Sequence, residues 1–430
     1  MMKRRLHALL SSLALLISPV ALAAPTSAPA VLPQPVDAAD AAYQEGIARL
    51  AANNFSASEA AFRRSLSLDP KRADAMLGLA EVAFRRDKVD EAKKLIRKAV
   101  ETAPGNANAH ASLGRVYALD REYEHAEKSL KQAIALDNTL VRPRMDLADL
   151  YATALRKPAD AVRMYQDVIA IAPDHAGAHY AQGLILAGTS DRTADARKLL
   201  ERAAVLEPRN PLPSLALARM ASASGDMATA QQWLTKTLEI DPRLPAAREL
   251  KGDLLHAQGD ATRAIDEYQA VATLQATNGM AHAKIGSIHQ SAGRTEEAIK
   301  AYRESIRRSP RNAIALNNLA FLLAEKGKLD EAASFARSAV RAAPDSAALL
   351  DTLGVIEHKQ GKHRDAVATL SQAAQAAPKS GMIQFHLGLA QVAAGQKDDG
   401  GKALRTALDL EPGANWAAEA RSALSRLNGN

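Results

Sequence analysis

Apolar and small side chains recur along this chain at three- and four-residue intervals, in paired bursts separated by short breaks. Leu113, Gly114 and Tyr117 fall on one face of a helix at that spacing, and Ala126, Leu130 and Ala133 fall on one face of the next. Leu79, Ala80, Ala92, Ile96 and Ala99 set the pattern one period earlier, and Leu319, Ala320, Ala332 and Ala339 set it six periods later. No alternating run of β-branched residues competes with it. Each period predicts two helices and a tight turn, so the fold class expected is all-α.

Proline marks the phase. Pro70, Pro104, Pro173, Pro208, Pro242, Pro310, Pro344, Pro378 and Pro412 are in register, with Asn138 and Ala276 in the two gaps. Intervals are 34 residues except for two of 35, ending at Pro173 and Pro208, so eleven units run from about Ala39 to Pro412. Such a period signals a stacked array. Proline ends the second helix by pushing its predecessor out of the α region. Gly225, Gly259, Gly293, Gly327, Gly361 and Gly395 recur between the helices, where a left-handed residue stops the first one. Asn106, Asn312 and Asp345 follow the prolines closely enough to cap the next helix. The two longer units carry their extra residue near Ala154 to Pro158 and Ala187 to Asp191. Gly400 stands where alanine is usual, which weakens that helix by about 1 kcal/mol. Residues 413–430 are expected to form a capping helix and tail, with Trp416, Ala420 and Leu424 on one side.

The spacing resembles the tetratricopeptide repeat, whose pattern is large-x2-Leu-Gly-x2-Tyr, then Ala-x3-Phe, then Pro. The early tryptophan of that pattern is absent, its slot holding His110, His179, His282, Leu316 or Leu350, and the first unit departs with Glu45 before Gly46. The resemblance implies a right-handed superhelical solenoid of helix-turn-helix units. At about 100° per residue, unit positions 2, 5, 9 and 12 of each first helix form a second stripe about 130° round from the packing stripe. The resemblance implies that this stripe lines a concave groove for protein or peptide partners. The candidate partner-binding residues are Tyr43, Ile47, Leu77, Phe84, Met145, Tyr180, Leu184, Met382, Phe385 and Leu389, with Leu50, Leu212, Leu215 and Val392 beside them. In the seventh unit the stripe turns acidic with Glu249 and Asp253. Coverage of the last stripe by the C-terminal helix is the alternative to an open site. The Lys and Asn carboxylate clamp of chaperone-binding relatives is not visible.

Composition narrows the function further. Hydrophobic residues make up 47% of the chain and aromatics only 4%, so alanine and aliphatic side chains must fill the core. With no cysteine, disulfides, thiolate nucleophiles and iron–sulfur clusters are excluded. Lys3, Arg4 and Arg5, the apolar run Ala8 to Val20 and the small-x-small site Ala21-Leu22-Ala23 predict a signal peptide over residues 1–23. The run is too short for a comfortable membrane span, which needs about 20 apolar residues. Residues 24–38 are proline-rich and are expected to form an extended tether. Cleavage removes three basic and no acidic residues from a net charge of +7, and the remaining +4 is too mild to suggest nucleic acid.

His175 with His179, His282 with His289, and His358 with His363 are spaced for packing and turn roles, and no metal is expected there. No phosphate-binding loop, nucleophile elbow or His-Glu-x-x-His motif occurs. The expectation is a non-catalytic scaffold or adaptor without cofactor, exported to the periplasm and free of an integral membrane span after cleavage. It resembles the exported repeat proteins that serve exopolysaccharide or secretion assemblies; self-association is a further expectation. The alternative is a periplasmic chaperone holding extended clients in the groove.

Overall fold

The computed structural model describes residues 37–428, so the expected signal segment and nearly all of the proline-rich stretch lie outside the described residues. Among the described residues the chain is helical throughout, with no strand. Eleven helix pairs follow one another: α1 (Ala38–Ala51) with α2 (Phe55–Leu68), α3 (Ala73–Arg85) with α4 (Val89–Thr102), α5 (Ala107–Leu119) with α6 (Tyr123–Leu136), and α7 (Val141–Thr153) with α8 (Pro158–Ile171). Next come α9 (Ala176–Ala187) with α10 (Thr193–Leu206), α11 (Pro211–Ala223) with α12 (Met227–Ile240), α13 (Pro245–Ala257) with α14 (Ala261–Leu274), and α15 (Met280–Ser291) with α16 (Thr295–Arg308). The last pairs are α17 (Ala313–Glu325) with α18 (Leu329–Ala342), α19 (Ala347–Lys359) with α20 (His363–Ala376), and α21 (Gly381–Ala393) with α22 (Lys397–Leu410); α23 (Ala417–Asn428) follows them. The described residues form two compact units that divide within α11, between Ala216 and Leu217.

The turn inside each pair has a backbone reason. The six phased glycines have φ between 70° and 85°, the left-handed region in which a β-carbon is strained. In the first four pairs the same turn is built from Asn53, Asp87, Arg121 and Arg156, with φ between 53° and 64°. In the fifth pair a short 3-10 turn, Ser190–Arg192, takes the extra residue instead.

Second helices stop at an extended residue. Asp69 and Ala103, each before a proline, have φ of −133° and −134°. Asp137 and Gln275 adopt −142° and −123° before Asn138 and Ala276, so the joint survives without proline. Asn106 and Asn312 cap through their side chains, accepting from Ala109 N at 2.9 Å and Ala315 N at 3.2 Å. Asp345 does not, because the N-cap position of α19 falls one residue later, on Ser346, which makes no side-chain cap bond.

Close approach within a pair is set by small residues against large ones. A β-carbon on Gly114 would lie 2.7 Å from Leu130 Cγ, and one on Gly252 2.7 Å from Tyr268 Cε1. Gly400 has the same kind of reason, since its β-carbon would sit 2.6 Å from Val392 Cγ2 and 2.9 Å from the Gly388 carbonyl. The low helix propensity there accompanies the tight packing of α22 on α21.

Candidate partner-binding groove

Within each unit, successive first helices touch one another: α1 with α3, α3 with α5 and α5 with α7 in the first, and α15 with α17, α17 with α19 and α19 with α21 in the second. Successive second helices make no comparable contact. The first helices therefore lie side by side along one face of each unit.

In the first unit this face is part aromatic and part charged. Tyr43 is half-buried against Phe62, ring centroids 5.8 Å apart, with the Arg72 guanidinium 4.8 Å over its ring and itself paired with Asp40. Burial, then Asp74, pushes the Tyr43 hydroxyl up to about 12, so it stays a neutral donor at physiological pH. Ile47 is half-buried in the same cluster. Leu77 and Phe84 depart from expectation: they are 8% and 4% exposed, enclosed with Ile96 of α4 and Val116 of α5. Helix α3 is covered on all sides, with every residue from Ala75 to Phe84 buried. Met145 and Tyr180 are half-buried, Leu184 is 43% exposed and Leu215 is buried.

A charged ladder that the apolar pattern did not reveal crosses this face. Glu81, Arg115 and Asp149 occupy the same unit position in the second, third and fourth pairs, with alternating sign. Arg115 donates to Asp146 Oδ2 at 3.1 Å and Ser112 Oγ at 3.0 Å, while the Tyr165 hydroxyl donates to Asp149 Oδ1 at 2.5 Å. Burial lowers the Arg115 pKa against the pull of Asp146. Glu81 accepts from Arg85 Nε at 2.7 Å, but its Oε2 is buried without a partner, and burial raises its carboxyl above the usual value. Unit position combined with charge sign would have exposed this ladder in the sequence.

The second unit opens acidic and turns apolar. Lys284 bridges Glu249 at 2.9 Å and Asp253 at 2.6 Å, and the Tyr268 hydroxyl donates to Asp253 at 2.6 Å. Beyond them Met280, Ile314, Phe321 and Met382 are 39%, 56%, 46% and 43% exposed, with Val355 half-buried. Met280 and Ile314 stand at unit position 2 and Phe321 at position 9; the stripe rule reaches them although they were not among the candidates. Asn317 lies between Ile314 and Phe321, and its Oδ1 is buried without a partner. Phe385 is not open surface: it is 4% exposed and stacks on Trp416, the residue before α23, while Leu389 packs in the same cluster with Leu424.

The histidines in the tryptophan slot have a local role. His110 Nε2 and His179 Nε2 each lie 2.8 Å from the carbonyl of the preceding phased proline, Pro104 and Pro173. Arg248 Nε donates to Pro242 O at 2.8 Å in the same place. His175 Nδ1 accepts from Ala178 N at 3.1 Å and caps α9. His358 and His363 face each other with Nδ1 atoms 3.2 Å apart. Among the described residues no three His, Asp or Glu side chains converge as ligands, and no helix is long and apolar enough to cross a membrane.

Comparison with known proteins places these features. The chain is 28% identical over 152 residues to human protein O-mannosyl-transferase TMTC3, covering 35% of this chain. It is 30% identical over 210 residues to cellulose synthase 2 operon protein C of Komagataeibacter xylinus, covering 44% of this chain. Each match spans only 16% of the relative's own length. Among solved structures, the APC/C hetero-tetramer Cut9–Hcn1 is 14% identical with a TM-score of 0.46, covering 91% of this chain and 96% of that one. Pseudomonas aeruginosa pilF is 22% identical with a TM-score of 0.45, covering 50% of this chain and 97% of that one. A tetratricopeptide-repeat profile matches residues 43–107, 82–140, 146–211, 284–347 and 353–415, and a second such profile matches 189–254. With well over half of its residues so matched, the chain belongs to the tetratricopeptide-repeat family.

Proposed function

We propose that the inner face of the first helices binds extended protein segments, and that the chain is a non-catalytic scaffold or adaptor in the bacterial cell envelope. This reading rests on Met280, Ile314, Phe321 and Met382, large apolar side chains left exposed on first helices of the second unit. Exposed apolar side chains on these first helices fit a segment whose side chains need an apolar seat. In the first unit Leu184 is exposed and Tyr43, Ile47, Met145 and Tyr180 are half-buried, on the same helices' stripe as the charged ladder.

Support for the envelope comes from the leader-like residues 1–23 and from the similarity to cellulose synthase 2 operon protein C. Service to an exopolysaccharide or secretion assembly is the finer form of the proposal. The transferase named among the relatives is matched over 16% of its length, and the groove described above offers partner-binding rather than catalytic chemistry.

The test is a double substitution, Ile314→Glu with Phe321→Glu. Both side chains point away from the core, so helicity and thermal unfolding should stay as in the parent while capture of partners from cell extracts falls at least tenfold. Unchanged partner recovery with the fold intact would place binding elsewhere.

A further inference from the structure

We infer that His358 and His363 form a chelating pair for a divalent transition-metal ion. His358 is in the last turn of α19 and His363 is the first residue of α20, on either side of the left-handed Gly361. The turn between them is tight, with Gly361 N donating to His358 O at 2.9 Å and Lys362 N to Glu357 O at 3.0 Å. It brings the rings to 5.0 Å between centroids, at 53° between planes, with Nδ1 facing Nδ1 at 3.2 Å. Two zinc–nitrogen bonds of about 2.0–2.1 Å at a tetrahedral angle hold their nitrogens about 3.3–3.4 Å apart. The pair thus has the bite of two cis ligands before any metal arrives.

The surroundings suit a partly open site. Both histidines are half-buried rather than enclosed, which leaves two coordination positions for water or for an incoming ligand. Imidazole pairs favour zinc, copper and nickel over magnesium or calcium. His386, held through Nδ1 to Asp351 at 2.7 Å, lies close enough to act on His358 electrostatically but is already engaged. Glu357 is likewise taken up by Thr369, which donates to its Oε2 at 2.8 Å. The site therefore has two protein ligands, and its affinity is modest. Without metal, one ring donates its Nδ1–H to the other. On binding, that ring moves its proton to Nε2 through solvent, and both Nδ1 lone pairs turn to the ion, with no net proton released from a neutral pair.

The experiment uses the full chain without an affinity tag, titrated with zinc chloride against a chromogenic chelator. One zinc per chain is expected, weakened at least tenfold by His358→Gln or His363→Gln and unchanged by His256→Gln. Histidine-selective nitrogen-15 spectra of the unaltered chain give an independent readout even if a variant folds poorly. The Nδ1 signals of two histidines should move on adding zinc, and those two should be the ones missing in the variants. No zinc-dependent shift in the parent, or equal zinc binding by parent and both variants, overturns the assignment.

Discussion

Trp416 lies almost flat on Phe385, ring centroids 5.0 Å apart and planes 14° apart, so the C-terminal segment covers Phe385, Leu389 and Val392 of the last stripe and leaves Met382 exposed. Replacing Trp416 with Ala removes a large buried side chain that Phe385, Leu404 and Ala407 enclose, and should cost about 3–5 kcal/mol. Limited proteolysis should then cut first around α21 and α22, while the early pairs resist, because each pair depends mainly on its neighbours. Replacing Phe385 and Leu389 together with Glu should loosen the same hairpin. Uniform loss of protection along the chain would argue against this local coupling.

Gly400 to Ala tests close packing against propensity. Alanine favours a helix by about 1 kcal/mol over glycine. The new β-carbon, however, would press on Val392 and on the Gly388 carbonyl, and overpacking of this kind costs about 1–3 kcal/mol. The variant should unfold at a lower temperature than the parent; a higher midpoint would show that α22 shifts without strain.

Glu81 to Gln tests the buried carboxylate. Because burial raises its folded pKa above the unfolded value, the folded chain holds the proton more tightly. The resulting cost is absent below the ordinary carboxylate range, grows as pH rises through the raised value and is complete above it. Glutamine removes that cost, so the variant should melt higher than the parent near pH 7.5 and equally near pH 4. A lower midpoint at pH 7.5 would mean that the Arg85 pairing outweighs burial.

Ala332 to Asp tests the small slot of α18. The residue is fully buried beside Ala320 and Leu353 in the core of the ninth and tenth pairs. A larger, unpaired charge there should destabilise by about 2–4 kcal/mol, within the range of buried-charge and overpacking substitutions. Proteolysis near α17 and α18 before the early pairs is the expected readout.

Much of this fold was written in local pattern. The phase of the prolines marked the joints, and Asn138 and Ala276 kept that phase where proline was missing, because the extended residue before each joint is a backbone requirement. The six turn glycines were legible for the same reason. Arg121 and Arg156 were not, since an arginine side chain does not announce a left-handed φ, and Asn53 and Asp87, of types that tolerate it, give only a weak signal. Groove residues were harder. A stripe on one helix says which side faces inward but not whether the next pair will cover it, so Leu77 and Phe84 were mistaken for open surface. For Phe385 the sequence leaves an open site and a C-terminal cover side by side, and the structure shows the cover, Trp416 some thirty residues later. Ile314 and Phe321 met the stripe rule and were overlooked. The ladder of Glu81, Arg115 and Asp149 requires comparing one position across three periods, which a reading for apolar residues does not do.

Photo-crosslinking in intact cells reads out whether the inner face of the first helices holds a protein partner. A photoreactive amino acid at Phe321 should trap a small, reproducible set of partners, and the same residue placed at Lys98, exposed on α4, should trap none of them. A broad spread of unrelated clients at Phe321 would favour a chaperone over a scaffold. The same partners captured at Lys98, or no capture at Phe321 in cells where the chain is folded, would mean that this face does not hold the partner.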